Sequence, residues 1–222
     1  MNAAIRLENI SCRYQESASG KPVEALSVRF LDVAPGEIMA VSGPNGSGKS
    51  TLLETISFLR QPEEGRVLVD GWDPRRENRL LEARQRIPIL LQKTVLFSMT
   101  VAANVAYGLK IRKIPPAETA RRVAAALETI GMERLSHRRH NELSFGEKRR
   151  VALARILVLD APVMVLDEPF AGVDPESANL AREAIRHANL ELGTTVMLSC
   201  HNPGEASSLT ARIVNISGGK LA

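Results

Sequence analysis

The sequence predicts an α/β domain: a largely parallel sheet core, an antiparallel side sheet early in the chain, and an inserted all-helical block. Three observations predict it. Short apolar runs alternate with stretches of helical periodicity along most of the chain. The runs Ile38-Met39-Ala40-Val41 and Val163-Met164-Val165-Leu166 are apolar at every position, which suits strands covered on both faces. Between residues 100 and 159 the apolar spacing turns helical and no convincing strand occurs.

In chain order, strands are expected at residues 5–10, 27–33 and 38–42, with turns at Gly20 to Pro22 and at Pro35-Gly36. A helix at 50–60 follows the third strand, and further strands are expected at 66–70 and 87–91. In the helical block, Ala120, Val123, Ala124, Leu127 and Ile130 form one stripe, opened by Pro115-Pro116 and stopped by Gly131. A second helix at 148–159 leads to strands at 163–167, 195–199 and 212–217. The whole chain, 1–222, reads as one domain, with 1–92 and 160–222 as the α/β core and 93–159 as the helical subdomain.

Composition narrows the function classes. A chain of 222 residues that is 44% hydrophobic and 24% charged is neither disordered, collagen-like nor a disulfide-stapled miniature. No run of eighteen apolar residues offers a bilayer span, and the first ten residues lack the apolar core of a secretory signal. Cys12 and Cys200 stand far apart without a pairing pattern, as suits a reducing cytoplasm. Lysine and arginine number 29 against 25 acids, for a formal charge of +4, and the signs are interspersed. No dedicated nucleic-acid surface is expected from that balance.

The strongest motif is Gly43-Pro44-Asn45-Gly46-Ser47-Gly48-Lys49-Ser50, which fits G-x-x-x-x-G-K-[ST] between a buried strand and a helix. Its glycines let the backbone wrap a phosphate, and the helix start supplies N–H donors and a favourable dipole. Lys49 would reach the β- and γ-phosphates as a point charge, with Thr51 beside them, and the Ser50 hydroxyl would ligate Mg²⁺. The second motif is Asp167-Glu168 at the end of an apolar strand. Asp167 can hold Mg²⁺ there and Glu168 can orient or deprotonate water, although two acids can also be an ordinary strand end. The third is Leu143-Ser144-Phe145-Gly146-Glu147. Ser144 with Glu147 makes a capping box, and the same helix start is also an anion site.

Together these residues resemble the nucleotide-binding subunits of ABC transporters, in order and spacing, over essentially the whole chain. The resemblance implies a P-loop NTPase (RecA-like) core, with residues 43–50 as Walker A, 163–167 as Walker B and Glu168 as the catalytic glutamate. It makes 143–147 the LSGGQ-type signature, Gln92 the Q-loop residue and Mg²⁺ contact, Asp174 the D-loop aspartate and His201 the switch histidine. Tyr14 falls where the family stacks an aromatic on adenine. The cofactors so implied are ATP and Mg²⁺. Lys49, Ser50, Asp167, Gln92, Glu168 and His201 act from one copy, while Ser144, Gly146 and Asp174 close over the nucleotide of a second copy. Phe145 and Glu147 depart from the signature's usual glycine and glutamine, and Glu147 brings charge toward the γ-phosphate unless the capping box ties it back.

The same resemblance implies integral-membrane permease partners, a substrate-binding protein, and a cytoplasmic location on the inner face of the membrane. The segment 92–110 is similar to that of compact importers of oxyanions such as tungstate or molybdate. A signature with Ser-Phe-Gly also occurs in energy-coupling-factor importers of vitamins and metal ions. A non-transport ABC ATPase acting on nucleic acid is the rival from another class, and it usually carries a long coiled-coil insertion or two fused halves. Other polar residues read plainly: Lys148, Arg149 and Arg150 as a solvated helix face, His137 and His140 as no metal pair, and Cys200 with His201 as no nucleophile–base pair.

Overall fold

The computed structural model describes residues 3–15, 22–210 and 212–221. The chain opens with β1 (Ile5–Gln15) and β2 (Pro22–Val33), then β3 (Ile38–Ser42), α1 (Lys49–Ile56), β4 (Glu64–Val69), α2 (Leu80–Arg86) and β5 (Ile89–Leu90). Three helices follow, α3 (Val101–Ile111), α4 (Pro116–Thr129) and α5 (Phe145–Leu157). The remainder is β6 (Val163–Leu166), α6 (Pro175–Leu192), β7 (Thr195–Cys200), α7 (Pro203–Ala206), β8 (Ile213–Ser217) and β9 (Lys220–Leu221).

These strands form two sheets. The antiparallel sheet runs β2-β1-β4, and the second runs β5-β6-β7-β3-β8-β9, parallel throughout except for β9. At its centre β3, β6 and β7 are buried at every position, as their largely apolar sequences demand. Successive side chains on these strands serve two different cores. Ile38, Ala40, Met164, Leu166, Val196 and Leu198 face α3 to α6. Met39, Val41, Val163, Val165 and Met197 face α1 and the antiparallel sheet. Leu52, Leu53 and Ile56 of α1 have no exposed surface, each burial being worth about 1.5–3 kcal/mol. Helix α1 is thereby wedged between the sheets, and the loop at its start is held from both sides.

The early antiparallel sheet, the buried parallel strands and the helical stretch agree with expectation, while several boundaries move. Strand β1 runs on to Gln15 because it stays paired with β2 through Gln15↔Pro22. Pro22 therefore opens a strand, where its missing N–H is tolerated, and the rest of the expected turn at Gly20 lies outside the described residues. Helix α1 ends at Ile56, four residues early, as Phe58 turns to φ 59°. The two-residue strand β9 was not foreseen; it folds back through Gly218 and Gly219, both at positive φ. On α4 the buried face is Thr119, Val123, Ala126 and Leu127, with Ile130 just beyond, so Ala120 and Ala124 are exposed rather than part of the stripe. Alanine contributes too little apolar surface to set the helix's rotation.

Asn104 pins the stretch before α3 to that helix. It is fully buried; its Oδ1 accepts from Phe97 N (2.9 Å) and its Nδ2 donates to Phe97 O (3.1 Å) and Thr100 O (3.0 Å). Replacing Asn104 by alanine leaves Phe97 N–H without its acceptor, while Phe97 O and Thr100 O keep Met99 N and Asn104 N, and should lower stability by about 1–3 kcal/mol in urea denaturation. A loss below about 0.5 kcal/mol would contradict the assignment.

Candidate functional site

At the carboxyl end of β3 the chain turns through residues 43–48 into α1, and close backbone approaches dictate its glycines. A Cβ at Gly43 would stand 2.2 Å from Ile216 O, and one at Gly48, whose φ is +108°, 2.8 Å from Ala25 O. Only glycine fits between β2, β3 and β8 at these points. Lys49, 4% exposed, folds over the loop and donates from Nζ to Gly43 O (2.7 Å) and Pro44 O (3.1 Å). The free N–H groups at the start of α1 face the same cleft, and that arrangement attracts anions.

The cleft has a volume of about 540 Å³ and gathers most of the expected site: Tyr14, Asn45, Gly46, Ser47, Gly48, Lys49, Ser50, Thr51, Gln92 and Glu168. Ala25, Gly218 and Gly219 complete its wall. Tyr14 lies at one end, its hydroxyl 2.9 Å from Thr51 Oγ1 and the Arg60 guanidinium 4.1 Å from its ring centroid. One ring face is thus covered by a cation, which leaves the other for a planar ligand.

The carboxylates stand where β6 ends. Asp167 is 3% exposed and its Oδ1 accepts from Ser199 Oγ at 2.6 Å. The same Ser199 oxygen accepts from Glu168 N at 2.9 Å, so one hydroxyl of β7 fixes both acids. Glu168 has φ 48°, a left-handed conformation uncommon for a residue with a Cβ. Its carboxylate is held on both oxygens: Oε2 accepts from Gln92 Nε2 at 2.8 Å, while Oε1 lies 3.2 Å from His201 Nε2 and 3.6 Å from Lys49 Nζ. The phosphate loop's Lys49, the Gln92 loop and His201 thus converge on a single buried carboxylate.

Ser144, Gly146 and Asp174 do not line this cleft; they meet elsewhere on the same chain. A Cβ on Gly146 would be 3.2 Å from Asp174 Oδ2 and 3.4 Å from Ser177 Oγ. Ser144 caps α5 by accepting from Glu147 N (3.2 Å), and Glu147 Oε2 accepts from Ser144 N (2.7 Å). The Glu147 charge is therefore tied back, and the Ser144 hydroxyl proton is free to donate. Phe145 occupies the first turn of α5 without positive φ, 58% exposed, its ring edge 3.1 Å from where a Cβ on Gly172 would be. Asp174 caps α6 by accepting from Ser177 N (2.9 Å) and Ser177 Oγ (2.7 Å), and these bonds hold its carboxyl below the usual range.

The side-chain donors at the site suit a magnesium ion. Among the described residues no group of three or more His, Cys, Asp or Glu is arranged to hold one. Ser50 and Asp167 offer hard oxygens, as does Gln92 Oε1 with its Nε2 turned to Glu168. Cys200 is fully buried and burial pushes its thiol up, consistent with its expected inertness.

The expectation for Arg149 is overturned. Arg149 does not lie on a solvated face; it is 4% exposed and packs inward from α5. Its position three, four and seven residues before Ala152, Leu153 and Ile156, all buried, carried that signal, but the flanking Lys148 and Arg150 masked it. In the sequence Ser199 is simply the last residue of an expected strand. Nothing in a Leu-Ser-Cys strand end marks the serine out, because its role comes from pairing β7 beside β6.

Comparison with known proteins adds the family. Residues 27–171 match the family described as ABC transporter. A sulfate/thiosulfate import ATP-binding protein of Synechocystis sp. is 36% identical over 220 residues, covering 98% of this chain and 59% of that protein. An energy-coupling factor transporter ATP-binding protein of Symbiobacterium thermophilum is 39% identical over 225 residues, 99% and 78% of the two chains. A molybdate/tungstate import ATP-binding protein of Pyrococcus horikoshii is 36% identical over 218 residues, 98% and 60%. The chain thus spans only about three fifths of the first and last of these relatives. Among solved structures, a dimeric ATP-binding cassette in a post-hydrolysis state with ADP and Pi superposes with a TM-score of 0.89 at 28% identity, covering 98% and 96% of the chains. A Clostridium perfringens protein described as part of the ABC transporter complex cbiONQ gives 0.85 at 30%, covering 100% and 88%. With its motif residues gathered as they are and the family match covering well over half its length, the chain belongs to the ATP-binding domains of the ABC transporter family.

Proposed function

We propose that this chain binds and hydrolyses Mg²⁺–ATP and, as a pair of copies docked on a membrane permease, drives import. The observation that carries the reading is the Glu168 carboxylate, buried at the phosphate cleft and held by Gln92, His201 and Lys49. On ATP binding, Lys49 exchanges loop carbonyls for the β- and γ-phosphate oxygens, which releases its hold on Glu168 Oε1. Glu168 then orients a water and takes its proton as the water oxygen attacks the γ-phosphorus and the bond to the β-bridging oxygen breaks. His201 stays beside the carboxylate, and Tyr14 stacks on the adenine. Mg²⁺ bound with the triphosphate neutralises phosphate charge; Ser50, Asp167 and Gln92 are the residues that would hold it. Ser144, Gly146 and Asp174, gathered outside the cleft with the helical block 93–159, serve the nucleotide of a second copy. Support for a pair comes from the dimeric cassette with ADP and Pi.

The cargo reading is an inorganic oxyanion, tungstate or molybdate among them, favoured by segment 92–110 and by the sulfate/thiosulfate and molybdate/tungstate relatives. An energy-coupling-factor role is the second reading, favoured by the Ser144-Phe145-Gly146 signature and the relative at 39% identity. Both place the chain against the inner face of the membrane through its permease. The oxyanion reading includes a substrate-binding protein and expects no nucleic acid among the partners. Co-purification from detergent-solubilised membranes tests this: a permease supports import, and nucleic acid in its place contradicts it.

Glu168→Gln should keep ATP binding, reduce turnover about a hundredfold to ten-thousandfold in a phosphate-release assay, and trap an ATP-bound dimer. Near-normal turnover would remove Glu168 as the water-activating group. Phe145→Gly should leave the melting temperature within about 3 °C and tighten ATP-dependent dimerisation measured by sedimentation, because Phe145 stands exposed on the signature face. Weaker dimerisation would show that the ring supports that contact.

A further inference from the structure

Arg149 is a site neighbour whose chemistry the hydrolysis reading leaves unused. Its Nη1 donates to Leu91 O, Gln92 O and Thr94 Oγ1, each at 2.8 Å. Its Nη2 donates to Asp167 O and Glu168 O, each at 2.7 Å. One nitrogen therefore serves the segment that carries Gln92, and the other serves the segment that carries Glu168. Among the described residues no carboxylate bonds the guanidinium, and burial draws its pKa below the ordinary arginine value, although an arginine so solvated by carbonyls keeps its charge. A buried cation is an expensive way to pack a helix; an apolar side chain of similar volume does so at less cost. Its presence calls for a geometric reason.

The reason lies in a closed circuit. Gln92 and Glu168 meet through their side chains (2.8 Å) and, separately, through their main-chain carbonyls, both held by the planar fork of Arg149. Glu168 also sits at φ 48°, a conformation that persists only when both ends of the residue are held. Ser199 Oγ holds its N–H at 2.9 Å and Arg149 holds its carbonyl. Resting on the reading of Glu168 as the water-orienting group, we infer that Arg149 is a positioning residue for hydrolysis: it fixes the separation of the Gln92 and Glu168 segments and thereby aims the carboxylate. A lysine cannot replace it, because a single ammonium cannot span two segments with a rigid spacing.

The test is steady-state kinetics on the full chain. Arg149→Lys should lower kcat by about tenfold to a hundredfold, the effect of losing charged hydrogen bonds, while KM for ATP stays within about threefold. Thr94→Val removes only the side-chain acceptor and should lower kcat about threefold, with KM and melting temperature near those of the wild type. Combined with Glu168→Gln, Arg149→Lys should add almost nothing, since it acts through that carboxylate. A merely structural role would instead lower the melting temperature and add its full loss in the double variant. The inference is overturned by wild-type kcat in folded Arg149→Lys, by a KM rise that accounts for the loss, or by additivity with Glu168→Gln. Should Arg149→Lys fail to fold, Thr94→Val decides: unchanged kcat overturns the role. Absence of Mg²⁺-dependent turnover in the wild type, or near-normal turnover in Glu168→Gln, fells the hydrolysis reading itself and is seen before any Arg149 variant is compared.

Discussion

The Glu168 carboxylate is the point on which the rest of this molecule converges. It is 6% exposed, it stands on a left-handed backbone, and three separate parts of the chain hold the residue. Gln92 from the loop after β5, Lys49 from α1 and His201 just past β7 meet the carboxylate, while Ser199 within β7 takes the main-chain N–H. A buried carboxylate without such partners would protonate or drag the strand end toward water. With them it is held in one place beside a phosphate-binding loop.

The fold supplies this by stacking constraints in order. Strands apolar on both faces form the centre of the parallel sheet, so β3, β6 and β7 deliver the phosphate loop, the acids and the serine at their shared carboxyl edge. Helix α1, buried on the antiparallel sheet, presses the loop against β2 and β8 so closely that Gly43 and Gly48 cannot bear a side chain. The helices on the opposite face are tied to the same edge by Arg149, and to one another through the core around Val105, Val151 and Leu153. The signature residues at the start of α5 end up facing away from the cleft, beside Asp174. A site that needs them is therefore one that a second copy completes.

Much of this was legible in the sequence because it was written locally. The phosphate loop declares itself by spacing, the buried strands by unbroken apolar runs, and the capping box at Ser144 by a serine three residues before a glutamate. What stayed hidden depends on pairing between distant segments. Ser199 is indistinguishable from any strand serine until β7 lies beside β6. Arg149 sits in a run of three bases that reads as solvated, and only its register with Leu153 and Ile156 on α5 hints at burial. Strand ends shifted where tertiary pairing carried them past their apolar stretch, as in β1, and the α4 stripe was misread because alanines cannot fix a helix's rotation.

The central claim is that two copies share a hydrolytic centre built around Glu168. Phosphate release by the purified chain, followed with ATP and Mg²⁺ over a wide range of protein concentration, measures that claim most directly. The account predicts a specific activity that rises with concentration and then levels as the pair forms. A specific activity independent of concentration would contradict the shared centre, and no Mg²⁺-dependent release at any concentration would contradict the centre itself.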